Sequence, residues 1–179
     1  MMLQDIYITF CNTKSDINEH LSTLSAYAEN RIVTEFGVRK GLSTAAFLHG
    51  KPKKLTSYDI NISKFNLDIM DAARHEGLSF SLIQANVLDI EIAPTDILFI
   101  DTLHTYDQLK QELALHGEKV RSHIILHDTM TFRHKGEVLK GMQPSLGLYP
   151  AVLEFLETGW KIVADYENNN GLMILARIL

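Results

Sequence analysis

Only one cysteine, Cys11, occurs among the 179 residues. An internal disulfide and a cysteine-built metal site are therefore excluded, and a reducing, cytoplasmic setting is the expectation. No apolar run approaches the ~20 residues needed to cross a bilayer, so no membrane partner is expected. The opening MMLQDIYITFCNTKSD lacks the basic head and apolar stretch of a secretion signal. A basic excess is missing too: 17 Lys and Arg against 22 Asp and Glu leave a net charge of -5. That balance disfavours nucleic acid, whose phosphates require a basic face. Internal repeats, low-complexity stretches and a dividing linker are also absent. What remains is ordinary globular composition, 46% hydrophobic and 22% charged, over a length that suits one domain spanning residues 1–179.

Strand-like and helix-like stretches alternate along the chain. SDINEHLSTLSAYAEN reads as an amphipathic helix, with Ile17, Leu21, Leu24 and Ala28 in one stripe and Asp16 as its cap. RIVTEF reads as a strand, GLSTAAFLH as a helix and KLTSYDI as a second strand. NISKFNLDIMDAARHEG reads as one helix with Ile62, Phe65, Ile69 and Ala73 inward and Gly77 as the stop. SFSLIQAN is a third strand, followed by a link too short and Pro-broken for a helix. The apolar run DILFID reads as a strand covered on both faces. TYDQLKQELALHGEKV is helical, SHIILHD a fifth strand, and residues 129–147 a long loop placed, with the amino-terminal segment, to select the substrate. After the helix LYPAVLEFLET, the strands WKIVADY and GLMILARIL are joined by the turn ENNN, which permits antiparallel pairing. Residues 1–14 include IYITF, whose alternation suits a strand or an arm used in a homodimer. Alternating β and α units predict a mostly parallel sheet with helices on both faces, and ligands beyond the carboxyl ends of its strands.

The residues that end the strands carry the chemistry. The first strand runs into Glu35-Phe36-Gly37-Val38-Arg39-Lys40-Gly41-Leu42-Ser43-Thr44, a glycine turn before a helix. Such a turn lets a ligand approach the backbone and offers free amides. A dinucleotide site would want G-x-G-x-x-G, which is not here. Asp59, followed by Ile60, ends the second strand; its carboxylate suits two ribose hydroxyls or, equally, a helix cap. Asn86 and Val87 after the third strand suit an adenine edge and face, or a plain turn. Asp101 ends the fourth strand with His104 three residues on, and His127 and Asp128 end the fifth. A carboxylate after a dry strand is costly unless paired or bound to a cation. Asp101, His127 and Asp128 offer oxygen and nitrogen ligands for one divalent ion, and His104 suits a general base. Helix capping and water binding would explain the same four residues. Arg133, His134 and Lys135 make the 129–147 loop locally basic, which fits an anionic acceptor or solvated charge.

Taken together, VTEFGVRKGLSTAAFL, SYDI, DILFIDTLHTYDQLKQEL, IILHDT and PAVLEFLETGWKI resemble the small class I S-adenosylmethionine-dependent methyltransferases grouped with cephalosporin-hydroxylase, rhamnosyl and macrolide sugar O-methyltransferases. The resemblance covers most of the chain from Ile17 onward. It implies a Rossmann-like α/β three-layer sandwich with a seven-stranded sheet of order 3-2-1-4-5-7-6, its last strand antiparallel. It further implies S-adenosylmethionine held over Glu35, Gly37, Val38, Arg39, Gly41, Ser43 and Thr44, and by Asp59, Ile60, Asn86, Val87 and Asp101. Metal-dependent members place a carboxylate, a base and an acid where Asp101, His104 and Asp128 stand, with Mg2+ or Mn2+ as the ion. His127 departs from the pattern by replacing an acid, Arg39 by replacing a glycine, and KVRSHIIL by lacking a glycine pair. The function implied is O-methylation of a small-molecule hydroxyl, on a sugar or polyol. The other readings are a non-catalytic cofactor-binding module and a metal-dependent oxygenase using His104, His127 and a carboxylate.

Overall fold

The structure, a computed structural model, describes residues 2–178. Its seven strands are β1 (Ile32–Phe36), β2 (Lys54–Asp59), β3 (Phe80–Gln84), β4 (Thr95–Ile100), β5 (Val120–His127), β6 (Trp160–Tyr166) and β7 (Leu172–Arg177). They form one sheet of order β3-β2-β1-β4-β5-β7-β6. The pairs among β1 to β5 are parallel, and β7 runs antiparallel to both β5 and β6. This is the order that the resemblance implies.

Alternation along the central strands divides the core in two. On β4, Ile97 and Phe99 join one cluster while Leu98 and Ile100 join the other; on β7, Leu172 and Ile174 oppose Met173 and Leu175. Successive side chains of a strand point to opposite faces, so near-continuous apolar runs are what a doubly covered sheet requires. The first face is covered by α1 (Leu3–Asn12), α2 (Leu21–Ala28), α3 (Leu42–His49) and α4 (Leu67–His75). The second is covered by α5 (Tyr106–His116) and α6 (Leu148–Leu156). Between β3 and β4 only a 3-10 turn, Val87–Asp89, intervenes.

Three local expectations are corrected. IYITF lies inside helix α1 and is neither a strand nor a free arm. Leu3, Ile6, Tyr7 and Phe10 follow helical spacing and pack into the first core, while Ile8 faces out. Burying Leu3 and Ile6 stabilises the helix by roughly 1.5–3 kcal/mol each, and the Leu3 amide donates to Oε1 of Glu76, the residue that follows α4, at 2.9 Å. Asp16 is not a helix cap, because α2 starts only after a 3-10 turn at Asn18–His20. Ser15 Oγ instead accepts from the Ile17 and Asn18 amides. The expected helix from Asn61 breaks at Asn66, whose side chain accepts from the Asp68 amide and caps α4.

Candidate active site at the carboxyl ends of the strands

The β1–α3 turn is set by backbone conformation. Gly37, Arg39 and Gly41 all have positive φ, at 82°, 46° and 88°. A Cβ on Gly37 would lie 1.9 Å from the Asp101 carbonyl oxygen, so only glycine lets this turn touch the end of β4. Beneath it lies Glu35, fully buried, which accepts hydrogen bonds from Ser43 Oγ at 2.5 Å, Thr44 Oγ1 at 2.8 Å and Ser57 Oγ at 2.5 Å. Burial pushes its carboxyl up to about 7 against the pull of those hydroxyls. Glu35 and Thr44, expected to touch the cofactor, therefore brace the turn from below, with no surface of their own.

Asp59 clamps the same turn from the side. Its Oδ2 accepts from the Val38 amide at 2.7 Å and the Arg39 amide at 3.0 Å, and its Oδ1 from the Asn61 amide at 2.8 Å. The carboxylate expected for ribose is thus largely spent on backbone. Asp59→Ala should weaken S-adenosylmethionine binding by roughly 1–3 kcal/mol through a loosened turn. Calorimetry on the folded variant reads this, and unchanged affinity would remove Asp59 from the site. Ile60 is exposed. Asn86 accepts from the Leu88 amide and donates to Asp89 Oδ2, a turn residue's bonding, while Val87 is buried.

Above the turn opens a cleft of about 460 Å³. One wall is Val38, Arg39, Lys40, Leu42 and Ser43. The other is the end of α1 with residues 13–17, and Asp101 contributes to the lining. Arg39 and Asp16 form an ion pair of 3.0 Å. That the amino-terminal wall is a helix was not expected from sequence; the helical stripe Leu3, Ile6, Tyr7 and Phe10 was the signal for it.

Asp101 is also one corner of a charged cluster. His104 Nε2 lies 3.1 Å from Asp101 Oδ1 and 3.3 Å from Asp128 Oδ2. His104 Nδ1 lies 3.0 Å from Glu137 Oε2, and the ring stacks on Phe132 with 4.8 Å between centroids. Burial opposes the charge on Asp101, but hydrogen bonds from His104 and His127 hold it well below the usual carboxylate range. Burial lowers His104, and the Asp101 hydrogen bond with the charges of Asp101 and Asp128 more than reverses this, leaving it raised. Burial also raises Asp128, beyond what the two histidines return. Asp128 sits at φ 58°, and its Oδ1 is buried without a hydrogen-bond partner.

Two roles change here. His127 was expected as a metal ligand, but Nε2 faces the Asp16 carbonyl oxygen at 3.0 Å and so must donate. Its Nδ1 faces Asp101 Oδ1 at 3.2 Å. Burial pulls the imidazole down, but the Asp101 hydrogen bond and the nearby carboxylates raise it to about 9. The three groups able to share an ion are instead Asp101, His104 and Asp128, whose ligand atoms all lie within 4.8 Å of one another. His104 was expected as the base; its nitrogens are both held by carboxylates, and its raised pKa disfavours the neutral form a base requires. Among the described residues the convergent set holds one histidine and two carboxylates, not the two histidines and one carboxylate of an oxygenase. Glu137 and Phe132 were missed, because nothing in a loop's sequence says which residue folds back. Arg133 is not free for an anionic acceptor, since it pairs with Asp165 at 2.9 Å and lies over the Tyr149 ring.

No protein-family model and no curated protein matches the chain. No helix among the described residues is long and apolar enough to cross a membrane. Solved structures do match. The chain is similar to the 1,6-didemethyltoxoflavin-N1-methyltransferase of Burkholderia thailandensis, solved with S-adenosylhomocysteine. The TM-score is 0.68 at 14% identity, covering 99% of this chain and 87% of that one. It is similar also to the magnesium protoporphyrin IX methyltransferase of Synechocystis PCC 6803, with TM-score 0.66 and 11% identity over 97% and 93% of the two chains. An N-methyltransferase of Bradyrhizobium japonicum matches with TM-score 0.62 and 14% identity over 90% and 94%. At these identities the likeness establishes a fold: the chain has the Rossmann-like sheet of class I methyltransferases, with order β3-β2-β1-β4-β5-β7-β6.

Proposed function

We propose that the chain is an S-adenosylmethionine-dependent methyltransferase acting on a hydroxyl of a small molecule, a sugar or other polyol, with a divalent cation at the charged cluster. The observation that carries this reading is that Asp101 belongs to both the 460 Å³ cleft and the cluster. A cofactor in the cleft and an oxygen at the cluster would therefore meet at the end of β4. Lys14, Arg39 and Lys40 on the cleft wall, with Asp16 and Asp101, suit the carboxylate and ammonium of a zwitterionic amino acid. Two of the solved methyltransferases of this fold carry S-adenosylhomocysteine.

The cluster fits a cation. Two carboxylates and one imidazole converge, and the buried Asp128 Oδ1 has no hydrogen-bond partner among the described residues. Asp101, His104 and Asp128 would hold the ion. Such an ion supplies charge that lowers a hydroxyl's pKa and fixes its orientation. The chain's own residues do the remaining work, which is positioning. The Gly37–Gly41 turn, clamped by Asp59 and braced by Glu35, fixes the donor. Phe132 and the 129–147 segment cover His104 and restrict water. The new bond forms between the acceptor oxygen and the methyl carbon as the carbon–sulfur bond breaks. Its electron pair returns to sulfur, and the hydroxyl proton passes to solvent, so the products are the methyl ether, S-adenosylhomocysteine and a solvated proton.

The test incubates the protein with S-adenosylmethionine, Mn2+ or Mg2+, and a panel of sugars and polyols, with amines as controls, and follows S-adenosylhomocysteine by mass spectrometry. Hydroxyl-dependent product that falls on chelation is expected. Methylation of amines alone, or turnover indifferent to chelator, would overturn the oxygen-and-cation reading.

A further inference from the structure

The 129–147 segment does more than cover the cluster. It carries Glu137, whose Oε2 lies 3.0 Å from His104 Nδ1 and 3.4 Å from the His104 amide nitrogen. The Glu137 amide donates in turn to the His104 carbonyl oxygen at 2.8 Å. The segment is pinned there by its own bonds. Lys135 and Leu146 form an antiparallel bridge, and the Gly136 amide donates to the Ser145 carbonyl. Gly136 has to be glycine for this. A Cβ there would lie 2.3 Å from Ser145 Oγ, 2.7 Å from the Leu146 carbonyl oxygen and 3.3 Å from that of His104.

A carboxylate accepting from one imidazole nitrogen fixes the tautomer, so that the other nitrogen bears the lone pair. That other nitrogen, His104 Nε2, faces Asp101 Oδ1 and Asp128 Oδ2. Without an ion, a second proton on Nε2 bridges it to these carboxylates; a cation that displaces that proton takes its place, and the three form a donor set. One imidazole beside two carboxylates favours a transition-series ion over Mg2+, which takes oxygen ligands and keeps its waters.

Resting on the cation reading above, we propose that Glu137 is a positioning residue for the metal site. It holds the Nδ1–H of His104 so that Nε2 serves as the nitrogen ligand beside Asp101 and Asp128, which couples docking of the 129–147 segment to binding of a transition-series divalent cation. The loop that covers the site is then also part of what builds it.

The experiment titrates the full chain with Mn2+, Co2+ and Mg2+ and records pulsed electron paramagnetic resonance of the bound Mn2+. No acceptor or turnover is needed. The parent should bind Mn2+ and Co2+ more tightly than Mg2+ and show nitrogen coupling from a histidine. Glu137→Ala should bind Mn2+ ~10–100-fold more weakly, the scale of a lost outer-shell partner. Glu137→Gln, whose amide oxygen still accepts from Nδ1, should recover most of that affinity. Gly136→Ala, which keeps the carboxylate but lifts the segment, should resemble Glu137→Ala. Circular dichroism and melting temperature on the same samples show that the variants are folded. Parent-like Mn2+ affinity in folded Glu137→Ala, or bound Mn2+ without nitrogen coupling in the parent, overturns the inference and leaves the cation reading standing. No binding of any of the three ions by the parent overturns both.

Discussion

Asp101→Asn should lose Mn2+ binding by more than ~100-fold, since an outer-shell partner alone is worth 10–100-fold. It should also lower the stability of the cation-free protein by about 3–5 kcal/mol near neutral pH, the cost of removing one partner from a buried ion pair. The reason lies in its two neighbours. Asp101 Oδ1 accepts from His104 Nε2 at 3.1 Å and from His127 Nδ1 at 3.2 Å. The His127 side chain is 1% exposed and that of His104 12%. Asp128 and Glu137 still face His104, but neither ring can turn to water, and Asn supplies one neutral oxygen where a carboxylate answered two imidazole rings. Urea denaturation at constant pH reads the stability term, and metal titration reads the other. Parent-like stability would mean that these pairs contribute nothing net to folding.

Replacing Glu35 by Gln should flatten the pH dependence of stability by about 3 kcal/mol across the range from roughly pH 5 to 8. The folded protein holds the Glu35 proton up to about 7, against an ordinary value of 4.5. A group whose folded pKa is raised binds its proton more tightly in the native state. Its contribution is then complete below the unfolded value and is lost as pH rises through the folded one. The parent should therefore weaken toward alkaline pH where Glu35→Gln does not. Urea midpoints at a series of pH values compare the two. Parallel profiles would show that the three hydroxyl donors keep the carboxylate ionised despite its burial.

Much of the architecture was legible because burial on both faces leaves a plain mark. ILFI and IIL have no room for polar side chains, and each ends in a residue that cannot stay in the core uncompensated. Asp101, His127 and Asp128 were found that way, and Asp59 as the residue that ends the second strand. What they do depends on direction, which spacing does not encode. Asp59 turns toward the Val38 and Arg39 amides, and His127 turns toward Asp16, a residue 111 positions away. His104 and His127 differ because their ring nitrogens face different groups, carboxylates alone for His104 and a backbone carbonyl besides Asp101 for His127. IYITF failed for another reason: five alternating residues fit both periods, and only Leu3 and Ile6 buried together decide for the helix. Glu137 lies 33 residues from the histidine it holds, inside a loop with no periodicity at all.

On the proposed reading, the cleft between α1 and the Gly37–Gly41 turn holds S-adenosylmethionine, with its reactive end toward Asp101. Calorimetric titration of the folded protein with S-adenosylhomocysteine measures this, with Gly37→Ala as the comparison. Saturable binding of one molecule per chain is expected, lost in Gly37→Ala, where a Cβ would collide with the Asp101 carbonyl. A folded parent that shows no saturable binding, or a folded Gly37→Ala variant that binds as the parent does, would contradict it.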